Sequence, residues 1–218
     1  GFYSVISAMN GHFEIAAIAI FVAMILDGLD GRIARMTNTQ SAFGAEFDSL
    51  ADMVSFGVAP ALVSFTWALS SLGRIGWAVA FIYVAGTAIR LARFNTQIET
   101  ADKSYFTGLA SPAAAALVAG MVWICNDYGL VGENLPLVVA ILAAITTALA
   151  GVLMVTNIPY SSFKEIDFKA RVPFVTILVV ALGFAVITVD PPLILLVLFG
   201  GYALSGPVIL IMKKAGRK

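Results

Sequence analysis

Long apolar runs dominate the chain, and short polar stretches separate them. A helix needs about 20 residues to cross the roughly 30 Å hydrocarbon layer of a bilayer. The runs therefore predict membrane-spanning helices over residues 13–35, 44–72, 74–95, 108–126, 134–155, 172–189 and 192–212. Residues 1–9 are apolar but too short to span, and we interpret them as the end of a further helix. The pattern predicts an all-α, polytopic transmembrane helix bundle of about eight spans, the first one incomplete.

Composition supports a membrane protein and narrows its partners. Of the 218 residues, 60% are hydrophobic and 12% are charged, and the mean hydropathy is +0.95. A formal net charge of zero argues against a nucleic-acid partner. No repeat or polar linker divides the chain, so a single domain over residues 1–218 is expected. It would comprise a six-helix core to about residue 155 and two further helices within 172–212.

The cations are distributed unevenly between the two predicted faces of the bundle. Of the 13 lysines and arginines, all but Arg74 fall on the same face. Loops rich in lysine and arginine stay on the cytoplasmic side of a membrane. This predicts an integral protein of the plasma membrane whose cation-rich face is cytoplasmic.

Four aspartates interrupt the apolar pattern on that face. They are Asp27, Asp30, Asp48 and Asp52. Spacings of three and four residues place each pair on one face of a helix. Ionisable groups beside hydrocarbon are costly, so their presence predicts a functional site. Four carboxylates that face each other also require a counter-charge.

Arginines or divalent metal ions could supply that counter-charge. Ion pairs with Arg32 and Arg35 would leave two acids uncompensated and would not explain the small residues beside them. A site of carboxylates without nearby histidine or cysteine suits hard ions such as Mg²⁺ or Mn²⁺, which substrate phosphates usually complete. The residues therefore favour a metal-dependent site for a phosphorylated substrate at a membrane face.

The acids also belong to a longer pattern. The order D-x-x-D-G-x-x-A-R-x8-G-x3-D-x3-D is complete between Asp27 and Asp52. It resembles the signature of the CDP-alcohol phosphotransferases, and eight fixed positions make the resemblance specific. Such membrane enzymes move a substituted phosphoryl group from a CDP-linked donor to an alcohol and release CMP. The resemblance implies that activity, two bound ions (Mg²⁺ or Mn²⁺), and a homodimer.

The resemblance also implies roles for individual residues. The family's metal site falls on Asp27, Asp30, Asp48 and Asp52. Its donor-nucleotide contacts fall on Asp27, Gly31, Ala34, Arg35, Gly44 and Asp48. Asp52 corresponds to the family's general base, and the competing interpretation makes it a metal ligand alone.

Two further stretches bear on the acceptor alcohol. Ile89–Thr96 reads IRLARFNT, and Tyr105–Ala116 reads YFTGLASPAAAA. Both resemble family members that use L-serine, although Ala110 stands where those members usually have proline. The implied reaction converts CDP-diacylglycerol and L-serine to phosphatidylserine and CMP. Candidate acceptor or phosphate contacts are Arg90, Arg93, Asn95, Thr107 and Ser111. Snorkelling of the two arginines to lipid headgroups is the alternative.

Two rival functions remain open at this stage. The same chemistry could use another alcohol, such as glycerol 3-phosphate or an inositol compound. A cation-coupled transporter is the rival from another class. Transporter sites tend to lie at the membrane midplane within repeated halves, whereas these acids lie near helix ends and no repeat is visible.

Overall fold

The computed structural model describes residues 1–37, 41–97, 105–161, 182–183 and 185–215, and it is mostly helical. The helices are α1 (Phe2–Met9), α2 (Phe13–Met36), α3 (Ala42–Asp52), α4 (Ala59–Trp67), α5 (Arg74–Gln97), α6 (Ser111–Asp127), α7 (Leu137–Val155) and α8 (Pro191–Ala215). A π-helix, Met53–Val58, joins α3 to α4. Two short 3₁₀ turns, Leu69–Leu72 and Gly132–Asn134, precede α5 and α7.

Four helical stretches of the described residues are long and apolar enough to cross a membrane. They are Ala42–Trp67, Arg74–Thr96, Leu137–Val155 and Pro191–Met212. The protein is therefore membrane-embedded, as predicted. Helix α6 is somewhat shorter, at 17 residues. Most of the predicted span 172–189 lies outside the described residues, so the total of about eight spans stays a prediction.

In the described part of the chain, a small antiparallel ribbon departs from the all-α prediction. Strand β1 (Tyr105–Thr107) pairs with β2 (Pro159–Ser161), with Phe106 opposite Tyr160. Helix α6 consequently begins at Ser111, three residues later than predicted. Gly108 has a φ of +82° between β1 and α6, a conformation that glycine adopts without strain.

The helix that carries Asp48 and Asp52 is interrupted by proline. The side chain of Ser41 accepts a hydrogen bond from the Gly44 N–H at 3.0 Å and caps the first turn of α3. Further along, Pro60 has no N–H to offer the Phe56 carbonyl, and its ring crowds that oxygen. The helix widens here, and the Ala59 N–H bonds to the Val54 carbonyl instead. The predicted single helix over 44–72 is therefore α3, a π-turn and α4.

Small residues bring the helices of the bundle close together. A Cβ on Gly86 of α5 would collide with the backbone carbonyl of Gly151 on α7. A Cβ on Gly151 would in turn lie 2.8 Å from the Tyr83 Cα atom. Helix association in membranes depends on such close packing, because lipid is as apolar as the side chains. The α5–α7 contact fixes the helix that faces the acids.

We expect Gly86→Ala to destabilise the fold, because its methyl group has no room against α7. Overpacking of this kind costs about 1–3 kcal/mol. Gly201→Ala in α8 is the matched control, since a Cβ there has nothing within 4 Å. Thermal unfolding in detergent should show a lower Tm for Gly86→Ala only. Equal Tm values for the two variants would contradict the close α5–α7 contact.

Candidate active site

Three of the four aspartates converge from two helices. Asp27 and Asp30 lie in the second half of α2, and Asp48 lies in α3. One carboxylate oxygen from each lies within 4.8 Å of the others. Asp27 is half-buried, while Asp30 and Asp48 are exposed. The spacing of the acids in the sequence thus corresponds to a real cluster.

The fourth acid, Asp52, lies between the cluster and a cation. Its half-buried carboxyl group is within hydrogen-bonding distance of the Asp27 carboxyl. On the other side, the Arg90 guanidinium of α5 is close enough to attract it electrostatically. Asp52 therefore adjoins the acid cluster, through Asp27 and Asp48, and also lies next to a positive charge.

The Arg90 guanidinium contributes hydrogen-bond donors to this region. Its Nη1 donates to the Ser111 hydroxyl at 2.9 Å, and Ser111 is fully buried at the start of α6. Its Nε is buried and has no hydrogen-bond partner within the described part of the chain. A buried donor without an acceptor is costly. Arg90 therefore brings a positive charge and a donor without an acceptor to the neighbourhood of Asp52.

Arg93 makes a different set of contacts. Its Nη2 donates to the Thr107 carbonyl at 2.8 Å, and its Nη1 donates to the Asn157 side chain at 3.0 Å and the Val155 carbonyl at 3.3 Å. These bonds tie α5 to β1 and to the segment that follows α7. The Thr107 side chain is exposed. In this structure Arg93 secures the ribbon, and its predicted contact with an acceptor or phosphate stays a prediction.

Asn95 links α5 to the helix that carries Asp48. Its side-chain oxygen accepts from the Ser49 hydroxyl at 3.1 Å, and its nitrogen donates to a Glu46 carboxylate oxygen at 3.3 Å. The predicted acceptor contact of Asn95 is likewise untested. Glu46 and Ser49 were not predicted, because only their tertiary partner distinguishes them from other polar residues of a helix end.

The small residues of the signature leave the acid cluster accessible. A Cβ on Gly31 would have nothing within 4 Å, and one on Gly44 would meet only the Ser41 hydroxyl, at 3.2 Å. The backbones of Ala34 and Arg35 belong to α2, but their side chains lie outside the described residues. The exposed surface beside the acids thus has room for a bulky ligand.

A residue of the last helix also reaches this region. Tyr202 of α8 interacts electrostatically with Arg90, and its ring lies 5.5 Å from that of Tyr160. This contact has no local signal in the sequence, because Tyr202 stands in a long apolar run.

The donor set of the site is chemically uniform. Within the residues that the structure describes, Asp27, Asp30 and Asp48 form the group that could hold a metal ion, and all three offer carboxylate oxygen. Hard divalent cations with affinity for phosphate prefer such ligands. The cluster therefore fits Mg²⁺ or Mn²⁺ and a phosphorylated ligand.

Comparison with known proteins agrees with this chemistry. Three relatives, each named CDP-diacylglycerol–serine O-phosphatidyltransferase, come from distant organisms. The Helicobacter pylori protein is 41% identical over 207 residues, covering 94% of this chain and 84% of its own. The Mycobacterium bovis protein is 34% identical over 197 residues, covering 88% and 67%. The Methanocaldococcus jannaschii protein is 37% identical over 146 residues, covering 67% and 63%.

A family model, which does not depend on any single relative, matches the chain at the level of the family. The model described as CDP-alcohol phosphatidyltransferase matches residues 1–158, which include all four aspartates. That match covers well over half of the chain. The protein belongs to the CDP-alcohol phosphatidyltransferase family.

Proposed function

We propose that the protein transfers a phosphatidyl group from CDP-diacylglycerol to the hydroxyl of L-serine, forming phosphatidylserine and CMP. The observation that carries this proposal is the convergence of Asp27, Asp30 and Asp48 beside Asp52 and Arg90. The names of the relatives support serine as the acceptor.

The acid cluster would hold the donor's diphosphate through divalent ions. Enzymes of this family generally depend on divalent metal, and the three carboxylates form a suitable group. When bound, Mg²⁺ or Mn²⁺ neutralises the diphosphate and the departing CMP. Gly31 and Gly44 leave space for the nucleotide. Ala34 and Arg35, on the same stretch of α2, complete the proposed pocket, with Arg35 available to a phosphate.

Asp52 would act as the general base. It accepts the proton of the serine hydroxyl, whose oxygen then bonds to the phosphorus joined to diacylglycerol. The bond from that phosphorus to the oxygen of CMP breaks, and CMP carries away the electron pair. The position of Asp52 beside the acid cluster supports this role, because the base must reach the serine hydroxyl while the acid cluster holds the diphosphate.

Arg90 would bind the carboxylate of serine. Its buried Nε lacks an acceptor within the described residues, and Ser111 holds the other end of its guanidinium. Arg93, Asn95 and Thr107 would support the acceptor pocket. The N–H groups of Arg93 already bond to Thr107 and Asn157, so few of them remain to bind a second anionic group of the acceptor. This favours an acceptor with one carboxylate over glycerol 3-phosphate or an inositol phosphate.

The surroundings of the site complete the proposal. The cation distribution supports an active site at the cytoplasmic face of the plasma membrane, where a CTP-derived donor is made. A homodimer is proposed from the family resemblance alone.

The rival transporter function is disfavoured, because the acids lie in the last turns of α2 and in α3, near the ends of these helices.

A screen of acceptor alcohols tests the proposed reaction. Purified protein with CDP-diacylglycerol and Mn²⁺ should release CMP in the presence of L-serine. Glycerol 3-phosphate and myo-inositol should give rates lower by at least about tenfold. Equal or faster release with another alcohol would overturn the serine assignment. No CMP release with any alcohol would overturn the transferase activity itself.

Loss of a metal ligand should abolish turnover. Asp27→Asn, Asp30→Asn and Asp48→Asn should each lower kcat/KM by at least about a hundredfold, because electrostatic stabilisation of the transition state is lost. EDTA should stop turnover, and Mn²⁺ should restore it. Asp127→Asn, at the other end of the bundle and exposed, is the control and should match the parent protein. Full activity in EDTA would contradict metal dependence.

Asp52→Asn separates the base from the ligands. An amide cannot accept the serine proton, so kcat should fall by at least about a thousandfold. Affinity for CDP-diacylglycerol should stay within about threefold, since the other three acids hold the donor. If donor binding falls together with turnover and added metal restores both, Asp52 is a metal ligand and not the base.

A further inference from the structure

The π-turn between α3 and α4 begins directly after Asp52. It exists because Pro60 gives the Phe56 carbonyl no intrahelical N–H and crowds it, so that the Ala59 N–H bonds to Val54. Each residue of an α-helix advances it by roughly 100°. A turn that holds an extra residue therefore rotates α3, before it, relative to α4, after it. The direction in which α3 presents its acids depends on this turn.

A tyrosine from the neighbouring helix occupies the position of the missing donor. The Tyr83 hydroxyl of α5 donates to the Phe56 carbonyl at 3.0 Å, and both residues are fully buried. Next to this bond, a Cβ on Gly57 would lie 3.1 Å from the methyl carbon of Thr87. Thr87 itself is one turn after Tyr83 on α5 and donates to the Tyr83 carbonyl. Helix α5 thus contacts the π-turn at two adjacent residues, Phe56 and Gly57.

The same helix also holds the other end of α3. Asn95 binds Ser49, about one turn before Asp52, and Glu46, nearly two turns before it. Asp48 therefore lies beside the Asn95 contacts, whereas Asp52 lies between those contacts and the π-turn. Releasing the π-turn would move Asp52 more than Asp48.

We propose that Tyr83 is a positioning residue for the reaction, because it holds the π-turn that aims Asp52 at the acceptor hydroxyl. The hydroxyl replaces the N–H that Pro60 lacks and fixes the widened turn in one arrangement. Tyr83 lies on α5, two turns before Arg90, and reaches Asp52 through its bond to the Phe56 carbonyl and the backbone of the π-turn. The inference rests on the proposed function, since it assigns the consequence of the turn to the base Asp52.

The chain contains a second proline–tyrosine pair of the same kind. Pro207 lies inside α8, and it leaves the Ala203 carbonyl without its intrahelical N–H. The fully buried Tyr160 hydroxyl donates to that carbonyl at 2.9 Å. No aspartate of the site belongs to α8. Tyr160→Phe therefore removes the same kind of hydrogen bond as Tyr83→Phe, without touching the helix of Asp52.

Comparison of the two phenylalanine variants tests the proposal. CMP release from CDP-diacylglycerol with L-serine and Mn²⁺ gives kcat, and direct binding gives the donor Kd. Both variants should lower Tm, because each leaves a buried carbonyl without a donor. Tyr83→Phe should lower kcat by about tenfold or more while the donor Kd changes by less than about threefold. Tyr160→Phe should lower kcat at least about fivefold less than Tyr83→Phe, because its hydrogen bond lies on α8 and reaches the site through the neighbouring Tyr202 and Arg90.

A folded Tyr83→Phe that keeps kcat within about twofold would overturn the proposal, and so would an equal loss of kcat in both variants. If Tyr83→Phe does not fold, the Gly57 contact gives a second test. Gly57→Ala should crowd both Thr87 on α5 and the flexible end of Met53, each 3.1 Å from the added Cβ, and so lower kcat. Thr87→Ser in the same chain should restore part of it by removing the opposing methyl group on α5. Full activity of Gly57→Ala, or no rescue by Thr87→Ser, would overturn the proposal. An inactive parent protein would instead overturn the proposed function.

Discussion

The mutual repulsion of carboxylates is the constraint on which the arrangement of this site depends. Asp27, Asp30 and Asp48 place oxygens within 4.8 Å of one another, and Asp52 adjoins them. Ionised carboxylates at this range repel one another, so holding α2 and α3 together requires an attraction that these three clustered acids do not provide. The fold has to supply that attraction elsewhere, and bound cations have to offset the charge in the working enzyme.

Helix α3 and the π-turn are held in place by one face of α5. From the membrane interior to the helix end, Tyr83 bonds to Phe56, Thr87 packs on Gly57, and Asn95 bonds to Ser49. Arg90 lies between the last two and attracts Asp52. Helix α5 is in turn fixed by its glycine contact with α7 and by Arg93, which ties it to the ribbon. Hydrogen bonds and close backbone contacts can do this in a membrane, where burial of apolar surface between helices gives little driving force.

The pattern of apolar and acidic residues along the chain predicted the features that depend on the spacing of residues within one helix. Apolar run lengths predicted the long helices, and the i,i+3 and i,i+4 spacings predicted that the aspartates would share helix faces. The signature identified the family, which the comparisons confirm. The ribbon β1–β2 escaped prediction because strands of three residues carry too little alternation to recognise.

Contacts between helices were harder to predict. The acceptor contacts of Arg93 and Asn95 stay predictions, whereas their hydrogen bonds to Thr107, Asn157, Ser49 and Glu46 were not predicted. Pro60 is visible in the sequence, yet the π-turn depends on a tyrosine that lies 27 residues from Phe56. Such contacts depend on how the helices pack against one another, and they have no characteristic separation along the chain by which a single sequence would reveal them.

Direct binding of Mn²⁺ tests the central claim that the converging acids form a metal site for the donor's diphosphate. Electron paramagnetic resonance reports the free ion as it is titrated into purified protein. The parent should bind Mn²⁺ saturably and more tightly once CDP-diacylglycerol is present, because ligands that share a site bind cooperatively. The triple variant Asp27→Asn/Asp30→Asn/Asp48→Asn should lose both effects. Unchanged Mn²⁺ binding in that variant, with the same response to CDP-diacylglycerol, would contradict the account.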